Sequence, residues 1–306
     1  MKKISIVVPC YNEENNINNF YEEMIKTLEK VKENYSYEII FVNDGSNDQT
    51  EIEVKKIRKT DKNVILISFS RNFGKEAAIY AGLNNATGDL VALIDADLQH
   101  PPKTILEMLE EINNGYDVVA TKRKNRKGEP IIKSAFSKMF YKMMRIFIPI
   151  EKNVQDFRLM KKEVVDAILS LKEYNRFSKG IFTWVGFNIK YIEIENIERK
   201  AGKTKWSFRK LFSYAIEGIT SFTTAPLKVS TLMGFCISII AIISTIVIIL
   251  QTIIYGKDVP GYASIITAIL FMGGVQLISI GILSEYISKM YLEIKKRPKY
   301  IIKKED

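Results

Sequence analysis

GDLVALIDADLQHPP, residues 88–102, is an apolar strand that ends in a group of polar oxygen ligands. Alternate residues of an extended chain point the same way, so Asp95, Asp97 and Gln99 can present three oxygens to one side. Hard divalent cations such as Mg²⁺ take such ligands and share them with substrate phosphates. The alternative for an isolated Asp-x-Asp is a turn with solvated acidic residues, and the rest of the chain has to decide between the two.

Strand and helix patterns alternate five times along the first 121 residues. Besides the opening strand, apolar runs predict strands at residues 4–9, 38–43, 63–69 and 117–121. Helical spacing predicts helices at residues 14–32, 75–85 and 102–113, with a short one after Asp48. Short connections between such elements predict an α/β fold with a mostly parallel, doubly wound sheet.

Four polar clusters follow the predicted strands, at residues 11–13, 43–46, 71–75 and 95–99. In open α/β sheets, ligands bind off the carboxyl ends of the strands, where these clusters converge. No G-x-G-x-x-G follows the first strand and no Walker A sequence is present, which argues against a dinucleotide site or a P-loop. We therefore expect another kind of ligand site at this edge.

Two apolar stretches, residues 229–256 and 259–284, contain no charged residue. Each exceeds the roughly 20 residues that cross a bilayer. The net charge of +10 is concentrated beside them, in residues 199–210 and 295–304. Positive flanks mark the cytoplasmic side, so we expect a multi-pass cell-membrane protein with both termini in the cytoplasm and no nucleic-acid partner. Cys10 and Cys236 form no evident disulfide or metal pair, as in a reducing compartment.

The predicted organisation has four parts. They are a catalytic domain at residues 1–205, an interfacial helix at 206–228, a two-helix transmembrane hairpin at 229–288 and a basic tail at 289–306. Within the first part, the basic segment 122–133 is either a solvated loop or a lid that supplies cations to a phosphate. Residues 131–148 predict an apolar helix near the membrane. Residues 175–187 read as an aromatic turn and 187–194 as an edge strand.

Several motifs in this order resemble glycosyltransferase family 2, which has the GT-A fold. They are IVVPCYNEENNI, NDGSNDQT, SRNFGKEAA, GDLVALIDADLQHPP, VQDFRLM, NRFSKGIFTWVGF and AGKTKWSF, followed by two membrane helices. Within that family the chain is similar to polyprenyl-phosphate glycosyltransferases, including dolichyl-phosphate mannose synthase and bacterial undecaprenyl-phosphate glucosyltransferases. It lacks the QxxRW signature of the processive members.

The resemblance implies transfer of one sugar, with inversion, from a nucleotide-diphosphate sugar to polyprenyl phosphate for cell-envelope glycosylation. UDP-glucose or a related UDP-sugar is the expected donor. The implied nucleotide-binding residues are Pro9, Tyr11, Glu13, Asp44, Lys75 and Asp95. The implied ligands of Mg²⁺ or Mn²⁺ are Asp95, Asp97 and Gln99. One position departs from the family pattern. Where the family has a DDG motif, this chain has Asn43-Asp44-Gly45, so Asn43 replaces the first aspartate.

Asp97, Asp156 and Arg158 are the candidate catalytic residues. Asp156 either acts as a general base or orients Arg158, and we favour orientation. The physical reason is that an acceptor phosphate, with a second pKa of about 6, is already largely ionised at neutral pH. Bringing this anion to a diphosphate requires cations, and Arg forks suit phosphate oxygens. The candidate acceptor-binding residues are Arg123, Arg126, Arg199, Lys203 and Lys205.

Two other functions remain open on the sequence alone. The acceptor could be diacylglycerol or a nascent glycan, or the chain could be an inactive membrane scaffold. The intact acidic triplet argues against the scaffold. The paired residues Gly273 and Gly274 could pack membrane helices together in a homo-oligomer.

Overall fold

The computed structural model describes residues 1–124, 153–194, 220, 223–256 and 261–304. It divides into two compact units: Met1–Ala215 together with Arg297–Asp306, and Ile216–Lys296. The helix predicted at residues 131–148 and most of the interfacial helix predicted at 206–228 lie outside the described residues.

The first unit is built on one sheet of seven described strands. These are β1 (Lys2–Cys10), β2 (Tyr35–Asn43), β3 (Val64–Ser68), β4 (Leu90–Leu93), β5 (Val118–Arg123), β6 (Val154–Lys161) and β7 (Ile189–Ile194). Their order is β3-β2-β1-β4-β6-β5-β7. The first four pair in parallel, as does β5 with β7, while β6 runs antiparallel to both its neighbours. The prediction of a mostly parallel α/β sheet is confirmed.

The strand β6, which carries Asp156 and Arg158, is not among the strands predicted from the sequence. The pairing sets Arg158 opposite Leu93, the last residue of β4. Asp156 therefore lies where the acidic segment leaves β4, although the two are far apart in sequence. An antiparallel strand inserted into a parallel sheet breaks the regular alternation on which the prediction relied.

Helices cover the sheet and supply its core. Those described in this unit are α1 (Ile17–Leu28), α2 (Thr50–Thr60), α3 (Lys75–Asn85), α4 (Thr104–Asn113), α5 (Lys162–Ser170) and α6 (Ser178–Trp184). Helix α3 can lie close to β1 because Gly82 has no side chain. A Cβ at this position would be 2.2 Å from Cγ1 of Val7. Helix α6 corrects the prediction of a turn at residues 175–187, and β7 agrees with the predicted edge strand.

Residues 299–303, here called the tail segment, belong to this first unit. The Ser70 amide donates to the carbonyl of Ile301 at 2.9 Å, and the Lys303 amide donates to the carbonyl of Ser68 at 2.8 Å. These bonds form an antiparallel bridge between Phe69 and Ile302. The tail segment therefore pairs with the end of β3 and with the residues that follow it, and it covers the outer edge of the sheet at this point.

The second unit consists of two long apolar helices, α7 (Ala225–Tyr255) and α8 (Tyr262–Lys295). Both are long and apolar enough to cross a membrane, and their aliphatic side chains are exposed along their length. Within this unit, the Tyr286 hydroxyl donates to the carbonyl of Thr223 at 2.6 Å. The prediction of two membrane-length helices is confirmed, although α8 continues to Lys295, past the boundary predicted at residue 288.

Glu38 is a buried carboxylate that ties β2 to β1 and to the approach to β4. Its side chain accepts hydrogen bonds from Lys3 Nζ at 2.6 Å, Ser5 Oγ at 2.5 Å and the Thr87 amide at 2.7 Å. Burial acts to raise the pKa of Glu38, but these donors outweigh it and the pKa is lowered. The stabilisation is thus complete above the ordinary carboxyl pKa and is lost as the pH falls through the lower folded-state value.

We predict that Glu38→Ala lowers the free energy of unfolding of the first unit by about 2–3 kcal/mol, because it leaves buried donors unpaired. The control is Glu23→Ala, which removes an ion pair to Lys26 whose two side chains are more than half exposed. That control should cost at most about 0.5 kcal/mol. Thermal unfolding of both variants in detergent checks this, and equal shifts in their midpoints would contradict it.

Candidate active site

The Asn43-Asp44-Gly45 turn follows β2 and is hydrogen-bonded to the carboxyl end of β1. The Asp44 amide donates to the carbonyl of Cys10 at 2.9 Å. Asn43 is buried, its Oδ1 accepts from the Ser46 amide at 3.0 Å and its Nδ2 donates to Ser68 Oγ at 3.4 Å. The amide can accept the first bond and donate the second, whereas a carboxylate there would need the Ser68 hydroxyl to be the donor. The departure from the family motif at this position therefore fits an internal bond between β2 and β3.

The turn is fastened to the loop of residues 71–74. The Asp44 carboxylate, 3% exposed, accepts from the Phe73 amide at 2.7 Å and the Gly74 amide at 3.0 Å. Gly45 has φ +63°, and a Cβ there would lie 2.3 Å from the carbonyl carbon of Arg71. Burial raises the pKa of Asp44, although the two amides act to lower it. The side chain of Asp44, which the sequence predicts to bind the nucleotide, therefore bonds to the 71–74 loop.

The segment after β1 forms the neighbouring wall of the site. Pro9 is buried within β1, whereas Tyr11 is 43% exposed. The Asn12 amide donates to Ser46 Oγ at 3.0 Å, and the Glu13 amide donates to Thr50 Oγ1 at 2.8 Å. These bonds hold the segment against the turn and leave the Tyr11 side chain accessible to a ligand.

Lys75, the first residue of α3, bridges two carboxylates at the carboxyl edge of the sheet. Its Nζ lies 2.8 Å from Asp95 Oδ2 and 2.7 Å from Asp156 Oδ2. Its side chain is 45% exposed, against 27% for Asp95 and 22% for Asp156. Burial acts to lower the pKa of Lys75, but the charges of Asp156 and Asp95 outweigh it and raise the pKa. The three side chains therefore form one charged cluster that is open to solvent.

Asp156 is strongly acidic in this setting. Burial acts to raise its pKa, but the charges of Lys75, Lys179 and Arg158 hold the pKa well below the ordinary carboxyl range. The carboxylate is consequently ionised at neutral pH and is a weak base.

Asp97 and Gln99 lie in a turn and not in an extended strand. Strand β4 ends at Leu93, Leu98 has φ +55°, and Asp97 Oδ1 accepts from the Gln99 amide at 3.1 Å. The expectation that alternation along a strand aligns the triplet is therefore wrong. The turn still places partly exposed Asp95 and Asp97 close together in the chain, at the carboxyl edge of β4.

The donor set fits a cation that is completed by a substrate. In the part of the chain that the structure describes, no three His, Cys, Asp or Glu side chains gather as a metal cluster. Mg²⁺ is commonly held by one or two carboxylates together with substrate phosphates. Asp95 and Asp97 can provide the carboxylates.

His100 is 5% exposed beside Phe157, and burial lowers its pKa, so its imidazole is neutral at neutral pH.

Arg158, a candidate catalytic residue, is enclosed by the fold. It is 2% exposed, and it donates to the carbonyls of Asp156 at 3.0 Å and Gln155 at 2.9 Å. Its guanidinium carbon lies 3.5 Å from the centroid of the Phe182 ring. Burial lowers the pKa of Arg158 to about 10. The Asp156 carboxylate bonds to Lys75, whereas Arg158 is held by backbone carbonyls and an aromatic ring. This corrects the expectation that the Asp156 side chain orients Arg158.

Of the predicted acceptor-binding residues, the structure describes only Arg123. Arg123 ends β5 and is partly exposed. The remaining candidate acceptor ligands, Arg126, Arg199, Lys203 and Lys205, lie outside the described residues.

The sequence reasoning assigned no role to Glu76, Ser178 or Lys179. Glu76 accepts hydrogen bonds from both the amide and the hydroxyl of Ser178, which begins α6. Burial raises the pKa of Glu76. This contact fixes α6, which carries Lys179, against α3. The quoted motifs SRNFGKEAA and NRFSKGIFTWVGF contain these residues, but only the fold shows that they meet.

Two family models match the chain. Glycosyl transferase family 2 matches residues 5–169, which hold the sheet edge and the Lys75 cluster. The GtrB C-terminal hairpin matches residues 225–290, which hold α7 and most of α8. The first match lies in the first unit and the second match lies in the second unit.

Relatives match over nearly their whole length. A prophage bactoprenol glucosyl transferase homolog of Escherichia coli (strain K12) is 46% identical over 304 residues, covering 99% of each chain. The putative glycosyltransferase CsbB of Bacillus subtilis (strain 168) is 45% identical, covering 98% of this chain and 91% of its own. Among solved structures, mannosyl-3-phosphoglycerate synthase from Rubrobacter xylanophilus is 17% identical with a TM-score of 0.48, covering 71% of each chain.

The matches confirm the family resemblance drawn from the sequence motifs. The chain belongs to glycosyl transferase family 2 and carries a C-terminal pair of apolar helices that matches the GtrB hairpin.

Proposed function

We propose that this glycosyltransferase moves one sugar from a nucleotide-diphosphate sugar to polyprenyl phosphate. The observation that carries the proposal is the open cluster of Lys75, Asp95 and Asp156 in a chain that also has two membrane-length helices. In the transfer, the bond from the anomeric carbon to the diphosphate breaks and a bond to an acceptor phosphate oxygen forms on the opposite face. The nucleoside diphosphate leaves, and the product is a lipid-phosphate-linked sugar for cell-envelope glycosylation.

The donor binds along the carboxyl edge of β1, β2 and β4. The exposed Tyr11, the segment around Glu13 and the loop fixed by Asp44 line the nucleotide side. UDP-glucose is the proposed donor, supported by the glucosyl transferase names of relatives at 46% identity.

Asp95, Asp97 and Gln99 would hold a Mg²⁺ or Mn²⁺ ion, and when bound it would neutralise charge on the leaving diphosphate. Lys75 already lies against Asp95, so its ammonium adds a second positive charge beside the same phosphates. Preorganised cations of this kind stabilise charge that develops in the transition state.

Asp156 serves as an orienting residue. Its lowered pKa makes it a poor proton acceptor, and a largely ionised acceptor phosphate has little need of one. Asp156 instead positions Lys75, while Arg158 supports the Asp156 backbone from within the fold. Lys179 and Arg123 are described cations that could meet the incoming phosphate, together with the four predicted ligands outside the described residues.

The enzyme sits in the cell membrane with its catalytic unit and both termini in the cytoplasm. The first unit contains both ends of the chain, and the two apolar helices lie between them in sequence. An even number of crossings returns the chain to the side from which it left. The clusters of Lys and Arg at residues 199–210 and 295–304 support the cytoplasmic side.

A panel of labelled nucleotide sugars, incubated with the purified protein and undecaprenyl phosphate, tests the proposal. We expect a labelled polyprenyl product from UDP-glucose. Turnover only with diacylglycerol or a glycan would replace the acceptor, and no turnover with any donor and acceptor would favour the inactive scaffold.

Removal of the divalent ion should abolish transfer, and Mn²⁺ or Mg²⁺ should restore it. Asp97→Ala should lower kcat about 100- to 1000-fold, because the leaving diphosphate loses charge stabilisation. Asp95→Asn should raise the half-saturating Mn²⁺ concentration about tenfold or more. The matched control is Asp89→Asn, just before the opposite end of β4, where the carboxylate accepts from the Lys3 amide. Full activity in EDTA would refute the metal requirement.

Asp156→Asn should retain at least about a tenth of the kcat, since an orienting amide can still contact Lys75. Removal of a general base would cost about 100- to 10,000-fold. Steady-state kinetics of this variant from pH 6 to 9 measures kcat and its dependence on pH. A loss as complete as that of Asp97→Ala would show that Asp156 does more than orient.

A further inference from the structure

The tail segment contacts the catalytic unit at a place that bears on the donor site. Its backbone bonds engage Ser68 and Ser70, at the point where β3 becomes the 71–74 loop. On the other side of β3, the Phe69 amide donates to the carbonyl of Asn43 at 2.9 Å. Phe69 is therefore held between the Asn43-Asp44-Gly45 turn and the tail segment.

Aromatic contacts continue from the tail segment into the loop. The Tyr300 ring stacks on Phe69 with centroids 4.9 Å apart and an interplanar angle of 16°. Phe69 in turn meets Phe73 edge-on at 5.7 Å, and the Arg71 guanidinium lies 4.1 Å from the centroid of the Phe73 ring. The amide of Phe73 is one of the donors to Asp44. A row of three rings thus links the chain terminus to the loop that Asp44 holds.

The same segment also contacts the helix that begins with Lys75. Tyr80 of α3 lies 6.4 Å from Tyr300 by ring centroids, and Lys299 Nζ lies 4.0 Å from the centroid of the Tyr80 ring. The tail segment consequently touches the chain both before and after Lys75. Removal of these contacts would loosen the backbone that presents Lys75 and the 71–74 loop.

We propose that the tail segment is a positioning element for the donor site and that Tyr300 is its principal positioning residue. This inference rests on the proposed function, because it assigns the 71–74 loop and Lys75 to the nucleotide sugar. In this role the tail segment acts through the 71–74 loop and not on the reacting atoms. Its effect falls on the KM for the donor, because the 71–74 loop lines the nucleotide side. Lys75 keeps its own bridge to Asp95 and Asp156, so kcat changes little.

A purely protective edge strand is the competing explanation, since any paired segment would cover β3. The two explanations differ in what the Tyr300 ring does. Backbone pairing alone covers the edge and is kept in Ile301→Ala, whose side chain is 52% exposed on the same segment. Only the positioning role requires the stacked ring.

Hydrogen–deuterium exchange on the full-length protein in detergent tests positioning without any activity. In Tyr300→Ala we expect faster exchange in residues 70–76, where the Phe73 and Gly74 amides bond to Asp44. Ile301→Ala and Tyr300→Phe, which keep the ring, should match the wild type. A chain that ends at Pro298 serves as the fully released reference. Unchanged exchange of residues 70–76 in both Tyr300→Ala and that reference would overturn the proposal.

Kinetics then tests the consequence for the donor. Tyr300→Ala should raise the KM for the nucleotide sugar about threefold to tenfold, the range expected from a lost aromatic pair. Its kcat should stay within about twofold of wild type, and Tyr300→Phe should restore the KM. An equal fall in kcat with unchanged KM would contradict the positioning role. If the wild type showed no transfer, the proposed function would fail, while the exchange result would still decide whether the tail positions this loop.

Discussion

The bridge from Lys75 to Asp95 and Asp156 is the interaction on which the candidate site depends. Two carboxylates brought to one place repel each other, and the ammonium between them makes the arrangement stable. Each member comes from a different element: the start of α3, the turn after β4, and β6. The bridge therefore fixes three parts of the sheet edge with one side chain, and it leaves a charged surface facing solvent.

The antiparallel strand β6 makes that bridge possible. In a strictly parallel sheet, the strand beside β4 would bring its own carboxyl end to this edge. Here β6 enters at its amino end, so Asp156 meets the segment that follows β4. A second tie, from Asp44 to the amides of Phe73 and Gly74, holds the loop that leads into Lys75. Local turns and long-range pairing together fix the position of one lysine.

Much of the fold could be predicted because its signals are local. Apolar runs predicted β1 to β4, and helical spacing predicted the bounds of α3 within a residue. Stretches without charged residues predicted the two long helices. The site was predicted in part: Asp95, Lys75 and Asp156 were all named, but as members of separate motifs. Glu76, Ser178 and Lys179 were missed, since a pairing across about one hundred residues leaves no trace in periodicity. The extended geometry expected for Asp97 and Gln99 failed because Leu98 adopts a left-handed conformation.

Residue identity by itself determined the chemistry available to this protein: carboxylates after an apolar strand, a lysine at a helix start, and apolar stretches long enough for a membrane. Backbone preference and side-chain charge act over a few residues, so these features are readable along the chain. Only the tertiary structure decided which charges meet, that Arg158 is enclosed while Lys75 is open, and that the chain terminus pairs beside the Asp44 loop. Those outcomes depend on strand order and register, because distant residues meet only once the whole sheet has formed.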